Sequence, residues 1–430
     1  MRKPQKRAVS ALIAAGMLLG LTGCGENEAK VVEQGSVEQR EALVVFSATS
    51  RTDPNDGDAA TTALDRAIAA FETEHTEVRV AYKTYNAKDY QEKSYDEVVL
   101  DRVRHHMGDD LYMMNPDTAY TLNQEGYLVD LSDMDAADSL TDAARQQCTV
   151  DGKLISLPLT MICYGLFTNQ DMLDRYGLEQ PQTTGDFLHC CEVLKANGIT
   201  PIAANRWWME TFVLTQGFAP LYLEDGVEEK IAALNSGETP ISQYMRPGFE
   251  FLAELMDKEY FDVDFASTAE AEDEMGMFLN QEVAFVVHYD RAVEESVYGG
   301  ADFNLTVLGF PTDEYGQVNL LNAAQRMCIN SKTEHLEAAK ALLEALSSKE
   351  AISDMLVEGG GFPPRMDVEN QRPEVLRTIY ENVDAGRAIP GSNPEIHLEQ
   401  WGTTCGMVQK LFSGVSVDEI MKEFDALQMN

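Results

Sequence analysis

The sequence predicts an α/β fold with parallel-type sheets flanked by helices, on three observations. Short apolar runs of strand length alternate with segments of helical period after residue 40. Hydrophobic residues make up 44% and charged residues 24%, an ordinary globular mix. A chain of 430 residues usually holds two domains. Bulk disorder, collagen and coiled coil are excluded by the same composition.

The elements follow in order. Residues 42–46 form a wholly apolar run that ends in a polar loop carrying Ser47, Thr49 and Arg51, read as a buried strand feeding a loop. Leu64, Ile68 and Phe71 recur at helical spacing, and Val78, Val80 and Tyr82 then alternate as a strand does. Strand, helix, strand implies parallel neighbours. A third strand is expected at residues 111–114, running into Asn115, Pro116 and Asp117. Ligands of open α/β sheets lie outside the carboxyl ends of strands, so both loops mark one candidate site. Between Leu154 and Phe167 the apolar run is too long for one ordinary strand and is interrupted by Pro158, as in a segment crossing between lobes. Thr183 with Asp186, and Ser416 with Glu419, are capping-box patterns that open two helices.

The first segment is set apart by charge. Arg2, Lys3, Lys6 and Arg7 precede an uncharged stretch over residues 8–21, shorter than the roughly 20 apolar residues of a spanning helix. Residues 1–23 are therefore expected to be a signal peptide. The tetrapeptide Leu21-Thr22-Gly23-Cys24 resembles the bacterial lipobox, which implies acylation of Cys24 with palmitate-type chains and a stable anchor in the cell membrane. Residues 24–41 are polar and aperiodic, a flexible tether. Without the leader, 72 acidic residues face 29 basic ones, a formal −43 against −39 for the whole chain. Such a field repels phosphate backbones, so nucleic acid is excluded as a partner.

Chemistry-bearing motifs are sparse. GxSxG, HExxH, the P-loop and GxGxxG do not occur, and the acidic run Asp53 to Asp58 places Thr52, Pro54 and Ala63 where an EF-hand needs oxygen ligands. No cofactor or metal is expected. Beyond Cys24 the cysteines are Cys148, Cys163, Cys190, Cys191, Cys328 and Cys405, irregularly spaced and without CxxC, read as buried thiols with three disulfides as the alternative. Four loop-like segments pair rings with polar groups: Asn205-Arg206-Trp207-Trp208, His288-Tyr289-Asp290-Arg291, Gly359-Gly360-Gly361-Phe362 and Gln400-Trp401-Gly402. They hold all three tryptophans, and flat rings beside amides, carboxylates and guanidinium groups are what carbohydrate recognition requires.

These segments, in this order, resemble the extracellular solute-binding proteins of family 1, the sugar-binding lipoproteins of ABC transporters. Val150-Asp151-Gly152-Lys153-Leu154 through Pro158, Leu166-Phe167-Thr168-Asn169, Tyr176-Gly177-Leu178 with Pro181, Asn197-Gly198-Ile199-Thr200-Pro201-Ile202 and Phe278-Leu279-Asn280-Gln281 carry the resemblance. It implies a two-lobed periplasmic-binding-protein-like fold with a hinged cleft, lobe one at residues 42–160 plus 323–357 and lobe two at 161–322 plus 358–430. It also implies a non-enzymatic monomer on the extracytoplasmic face, which captures a mono- or oligosaccharide and delivers it to ABC permease subunits. A lipid-anchored carbohydrate-active enzyme and a partner of a sensor kinase are the alternatives. Candidate ligand contacts are Ser47, Thr49, Arg51, Asn115, Asp117, Tyr164, Trp207, Trp208, His288, Tyr289, Asp290, Arg291, Arg326, Phe362 and Trp401, with Asp117 and Trp401 foremost by position in the family pattern. Acidic residues would suit a cation such as a polyamine; Arg51, Arg206, Arg291 and Arg326 would suit an acidic sugar.

Overall fold

The computed structural model describes residues 41–49, 62–205, 207–269, 271–293, 300–370 and 372–428. The signal peptide, Cys24, the tether, Arg51 and Arg206 lie outside the described residues. From residue 41 onward the chain is one compact unit, built on twelve strands: β1 (Glu41–Ser47), β2 (Val78–Thr84), β3 (Leu111–Met113), β4 (Thr149–Val150), β5 (Lys153–Leu154), β6 (Leu157–Asn169), β7 (Thr200–Ala203), β8 (Val283–Tyr289), β9 (Leu305–Leu308), β10 (Phe310–Thr312), β11 (Gly316–Ile329) and β12 (Ala388–Ile389). β4 and β5 pair with each other; the rest form one sheet, in the order β2-β1-β3-β11-β6-β8-β7 with β9 on β6 and with β10 and β12 on β11.

Parallel pairing holds where the sequence pattern is strand, helix, strand: β1 lies parallel to β2 and β3, and β7 to β8. The middle of the sheet differs. β6 and β11, of 13 and 14 residues, run antiparallel to one another, and each is antiparallel to its outer neighbour. The long apolar run is thus a single strand, and Pro158 fits because it is the second residue of β6, near the strand's start. The expected lobe limits fall on facing residues of these two strands, Met161 opposite Ala323 and Ile162 opposite Asn322.

Apolar residues gather on both sides of this axis. Leu43, Val45, Ile68, Phe71, Leu342 and Ile352 bury helices Ala63–Glu74, Leu336–Leu346 and Lys349–Gly359 against the β1 half. Phe187, Phe212, Phe249, Leu252, Val408 and Phe424 bury helices Thr184–Ala196, Glu210–Tyr222, Ser242–Asp257, Trp401–Phe412 and Val417–Gln428 against the other half. The capping boxes form as the sequence indicates: Asp186 N donates to Thr183 Oγ1 at 3.1 Å, and Glu419 N to Ser416 Oγ at 3.3 Å. Each satisfies an amide that a helix start leaves open. Cys148, Cys163, Cys190, Cys191 and Cys328 are buried thiols in no disulfide, and burial pushes the Cys190 thiol up to about 11.

Close packing on the crossing strand gives a first prediction. A methyl group at Gly165 would meet Val307 Cγ1 at 2.7 Å and the Leu308 carbonyl oxygen at 2.8 Å. Gly165→Ala is expected to lower stability by about 1–3 kcal/mol, the usual cost of overpacking, read from the denaturation midpoint.

Candidate functional site

Two adjoining cavities open where the carboxyl ends of β1 and β3 meet β6 and β11. The larger, about 240 Å³, is lined by Ala48, Tyr95, residues 113–116, Ile162, Tyr164, residues 322–326 and Ser392. The smaller, about 140 Å³, is lined by Thr49, Thr62, Leu64, Leu159, Thr160, Arg291, Met355, Glu358 and Gly359 among others. Met113 and Gln325 line both. The two loops that follow β1 and β3 therefore reach one site, as the strand-end rule requires.

Local bonding aims each wall. Thr49 N donates to Ser47 Oγ at 2.9 Å, and the Ser47 and Thr49 hydroxyls lie 3.4 and 3.3 Å from Met113 Sδ, so Ser47 is buried as support while Thr49 faces the smaller cavity. Asn115 Nδ2 donates to Asp96 at 3.1 and 2.9 Å, which fixes its amide at the mouth of the larger one. Across the cleft, Asn322 Oδ1 accepts from Gly391 N at 2.8 Å. Gln325 holds a left-handed backbone (φ 48°) within a strand, a costly conformation for a residue with a Cβ, and it divides the two cavities. Thr160 Oγ1, in the wall of the smaller cavity, is buried without a partner.

Charge at the site is arranged by contact rather than by abundance. Asp117, in the first turn of helix Pro116–Gln124, meets Glu399 carboxyl to carboxyl. Burial, then the Glu399 charge and the hydrogen bond with it, push Asp117 up to about 7, with the Arg326 guanidinium opposing. Glu399 accepts from Gly402 N at 2.5 Å, from Thr403 N and from Thr403 Oγ1 at 2.9 Å, at the start of helix Trp401–Phe412.

A train of rings borders the larger cavity. Trp401 lies 4.9 Å from the Tyr164 ring, Tyr164 lies 6.5 Å from Tyr289, and Tyr289 lies 6.1 Å from Trp208. Tyr164 faces the cavity; Trp401 packs behind it, against Gly391. His288 is buried 4.3 Å from Trp208, pushed down to about 3 by burial, and its Nδ1 accepts from Tyr289 N. Asp290 is fully buried; its Oδ1 accepts from Cys163 N and Arg291 N, and burial pushes it up to about 7. Arg291 Nε donates to the Gly359 carbonyl.

Of the candidate residues, then, Thr49, Asn115, Tyr164, Arg291 and Arg326 line a cavity. Ser47, Asp117, Tyr289, Asp290 and Trp401 stand directly behind. Trp208 and His288 pack one step further away, and Trp207 is 46% exposed; none of the three lines a cavity. Phe362 is 5% exposed, exchanges both backbone hydrogen bonds with Met161 and packs 4.7 Å from Tyr380. Phe362 itself lines neither cavity, whereas Gly359 of the glycine run before it lines the smaller one. Asn322, Gln325, Ser392, Thr160 and Glu399 were not expected. A signal for two of them was legible, since Asn322 and Gln325 interrupt an apolar crossing strand with amides.

The walls offer amides, hydroxyls, the Arg291 and Arg326 guanidinium groups, the Glu358 carboxylate and the Tyr95 and Tyr164 phenols, groups suited to holding a polyhydroxylated solute. Among the described residues no three His, Cys, Asp or Glu side chains gather as a metal site.

Residues 66–377 match the family model described as bacterial extracellular solute-binding protein. The melibiose/raffinose/stachyose-binding protein MelE of Bacillus subtilis is 23% identical over 281 residues, 63% of this chain and 60% of that relative. The chain spans between about half and three fifths of the length of the curated relatives it matches. The fold matches the binding protein MsmE of Bacillus subtilis in an open conformation with a TM-score of 0.72 at 17% identity, over 90% of this chain and 97% of that one. RafE, of Streptococcus pneumoniae, in complex with raffinose matches with a TM-score of 0.69 at 17% identity, over 90% and 98%.

Proposed function

This chain belongs to the bacterial extracellular solute-binding proteins, and from that premise we propose that it captures a mono- or oligosaccharide and delivers it to the permease of an ABC importer. The cleft carries the reading: its two cavities are walled by amide, hydroxyl and aromatic side chains from both sides of the β6 and β11 crossing. The saccharides bound by MelE and RafE support it. Lobe one is taken as residues 42–160 plus 323–357 and lobe two as 161–322 plus 358–430, closing by bending of the two crossing strands. The protein acts as a monomer, anchored through lipid on Cys24 at the extracytoplasmic face. No helix among the described residues is long and apolar enough to cross a membrane.

The test is a thermal-shift screen over raffinose, stachyose and their constituent sugars, with chromatography of the recovered sugar. A ligand at 100 times its Kd adds about 2.7 kcal/mol of stability. The expected result is an upward shift with the sugar returned uncut. Cleavage would favour the carbohydrate-active enzyme instead, and no shift with any saccharide would end the proposal.

A further inference from the structure

One charged side chain lines the larger cavity, and in a chain with 72 acidic residues it is a cation. Arg326 is 6% exposed. Gln147 Oε1 lies 3.4 Å from its Nη2, at the outer limit of a hydrogen bond, the Cys148 thiol is a further neighbour, and its Nε has no partner among the described residues. Among the described residues no carboxylate forms an ion pair with it. A buried guanidinium left without a counter-ion is unfavourable, and its planar fork is matched by a carboxylate. Asp117 feels the Arg326 charge but makes its hydrogen bond with Glu399, so the attraction stops short of an ion pair.

The remaining polar groups of the wall are neutral: the Asn115, Asn322 and Gln325 amides, the Ser392 hydroxyl and the Tyr95 and Tyr164 phenols. A single cation within a ring of neutral hydrogen-bonding groups fits a molecule with many hydroxyls and one carboxylate. We infer that the natural ligand is an acidic saccharide, a uronic acid or an oligosaccharide containing one, whose carboxylate lies against Arg326. This inference rests on the saccharide-binding reading and adds the chemical class. The cationic alternative is disfavoured by the same geometry, since no acidic side chain lines the larger cavity.

Calorimetry on the intact protein tests it, with galacturonate and glucuronate and their di- and trisaccharides, the methyl esters of the same compounds, and raffinose as a neutral sugar. The ester keeps every hydroxyl, removes the charge and adds one methyl group, whose steric effect the Arg326→Gln variant controls for. The acid is expected to bind at least about tenfold more tightly than its ester, in keeping with the strength of charge-assisted hydrogen bonds. Arg326→Gln is expected to erase that ratio and Arg326→Lys to narrow it; a merely structural arginine would leave the ratio unchanged. If Arg326→Gln does not fold, the acid-to-ester ratio of the unaltered protein still decides. An ester or raffinose binding as tightly as the acid overturns the acidic class while leaving saccharide capture standing. Failure of every saccharide, charged or neutral, overturns both.

Discussion

Replacing Trp401 by alanine is expected to weaken saccharide binding roughly 30- to 100-fold, a loss of about 2–3 kcal/mol of the kind seen when a central aromatic anchor is removed. The ring does not line the cavity itself. It fills the space between Tyr164 and Gly391, with centroids 4.9 Å from the tyrosine, and so holds the Tyr164 ring against the ligand space. Removing it frees Tyr164 to turn away and opens a void, so a stability loss of about 1–3 kcal/mol accompanies the affinity loss. Trp401→Phe should retain much of both, because a ring still backs Tyr164. Tyr164→Phe, which takes only a hydroxyl, separates stacking from hydrogen bonding. Calorimetry below the unfolding range of the alanine variant measures the effect, and an unchanged Kd would mean that the Tyr164 ring is positioned without help from Trp401.

The second large effect is on stability as a function of pH. Asp290 is fully buried and pushed up to about 7, from an ordinary value near 3.8, with one oxygen bonded to two amides and the other without a partner. Its folded-state pKa lies above its unfolded one, so between about pH 4 and pH 7 the folded chain holds the extra proton and stability falls as pH rises. A three-unit shift corresponds to at most about 4 kcal/mol. Asp290→Asn keeps the oxygen that accepts from Cys163 N and Arg291 N and removes the titration. The variant is therefore expected to match the parent near pH 4 and to exceed it by about 2–4 kcal/mol above pH 7. Asp117 contributes in the same direction and window, and buried Glu210 and Glu274, held well above the usual carboxylate range by burial, extend it upward. His288 acts in the opposite sense: held near 3, it loses stability as pH falls below about 6.5. These other groups are common to both proteins and cancel in the difference. Denaturant unfolding of the pair at pH 4, 5.5, 7 and 8 reads it, and a difference that does not grow with pH would place the Asp290 proton elsewhere.

Much of the fold was legible because its causes are local. The capping boxes at Thr183 and Ser416, the helix carried by Leu64, Ile68 and Phe71, and the strands that end at Ser47 and Met113 all follow from spacing within about a dozen residues. The strand-end rule then placed the site at Thr49 and Asn115 without any distant information. The antiparallel centre of the sheet was not legible, because pairing between residues as far apart in sequence as Tyr164 and Leu320 depends on how the chain returns. The same limit applies to Phe362, whose bridge to Met161 no local spacing reveals.

Charge marks the boundary most clearly. Composition by itself determined that the protein is strongly acidic and unsuited to nucleic acid, since net charge is a sum and needs no coordinates. Which sign lines the larger cavity was decided only by the tertiary structure. Acidic side chains are stable wherever water or a donor reaches them, so most can lie on the surface or, like Asp117 and Glu399, engage one another. Burial selects which side chains face a cavity, and here it leaves Arg326 in the wall with no ion-pair partner among the described residues.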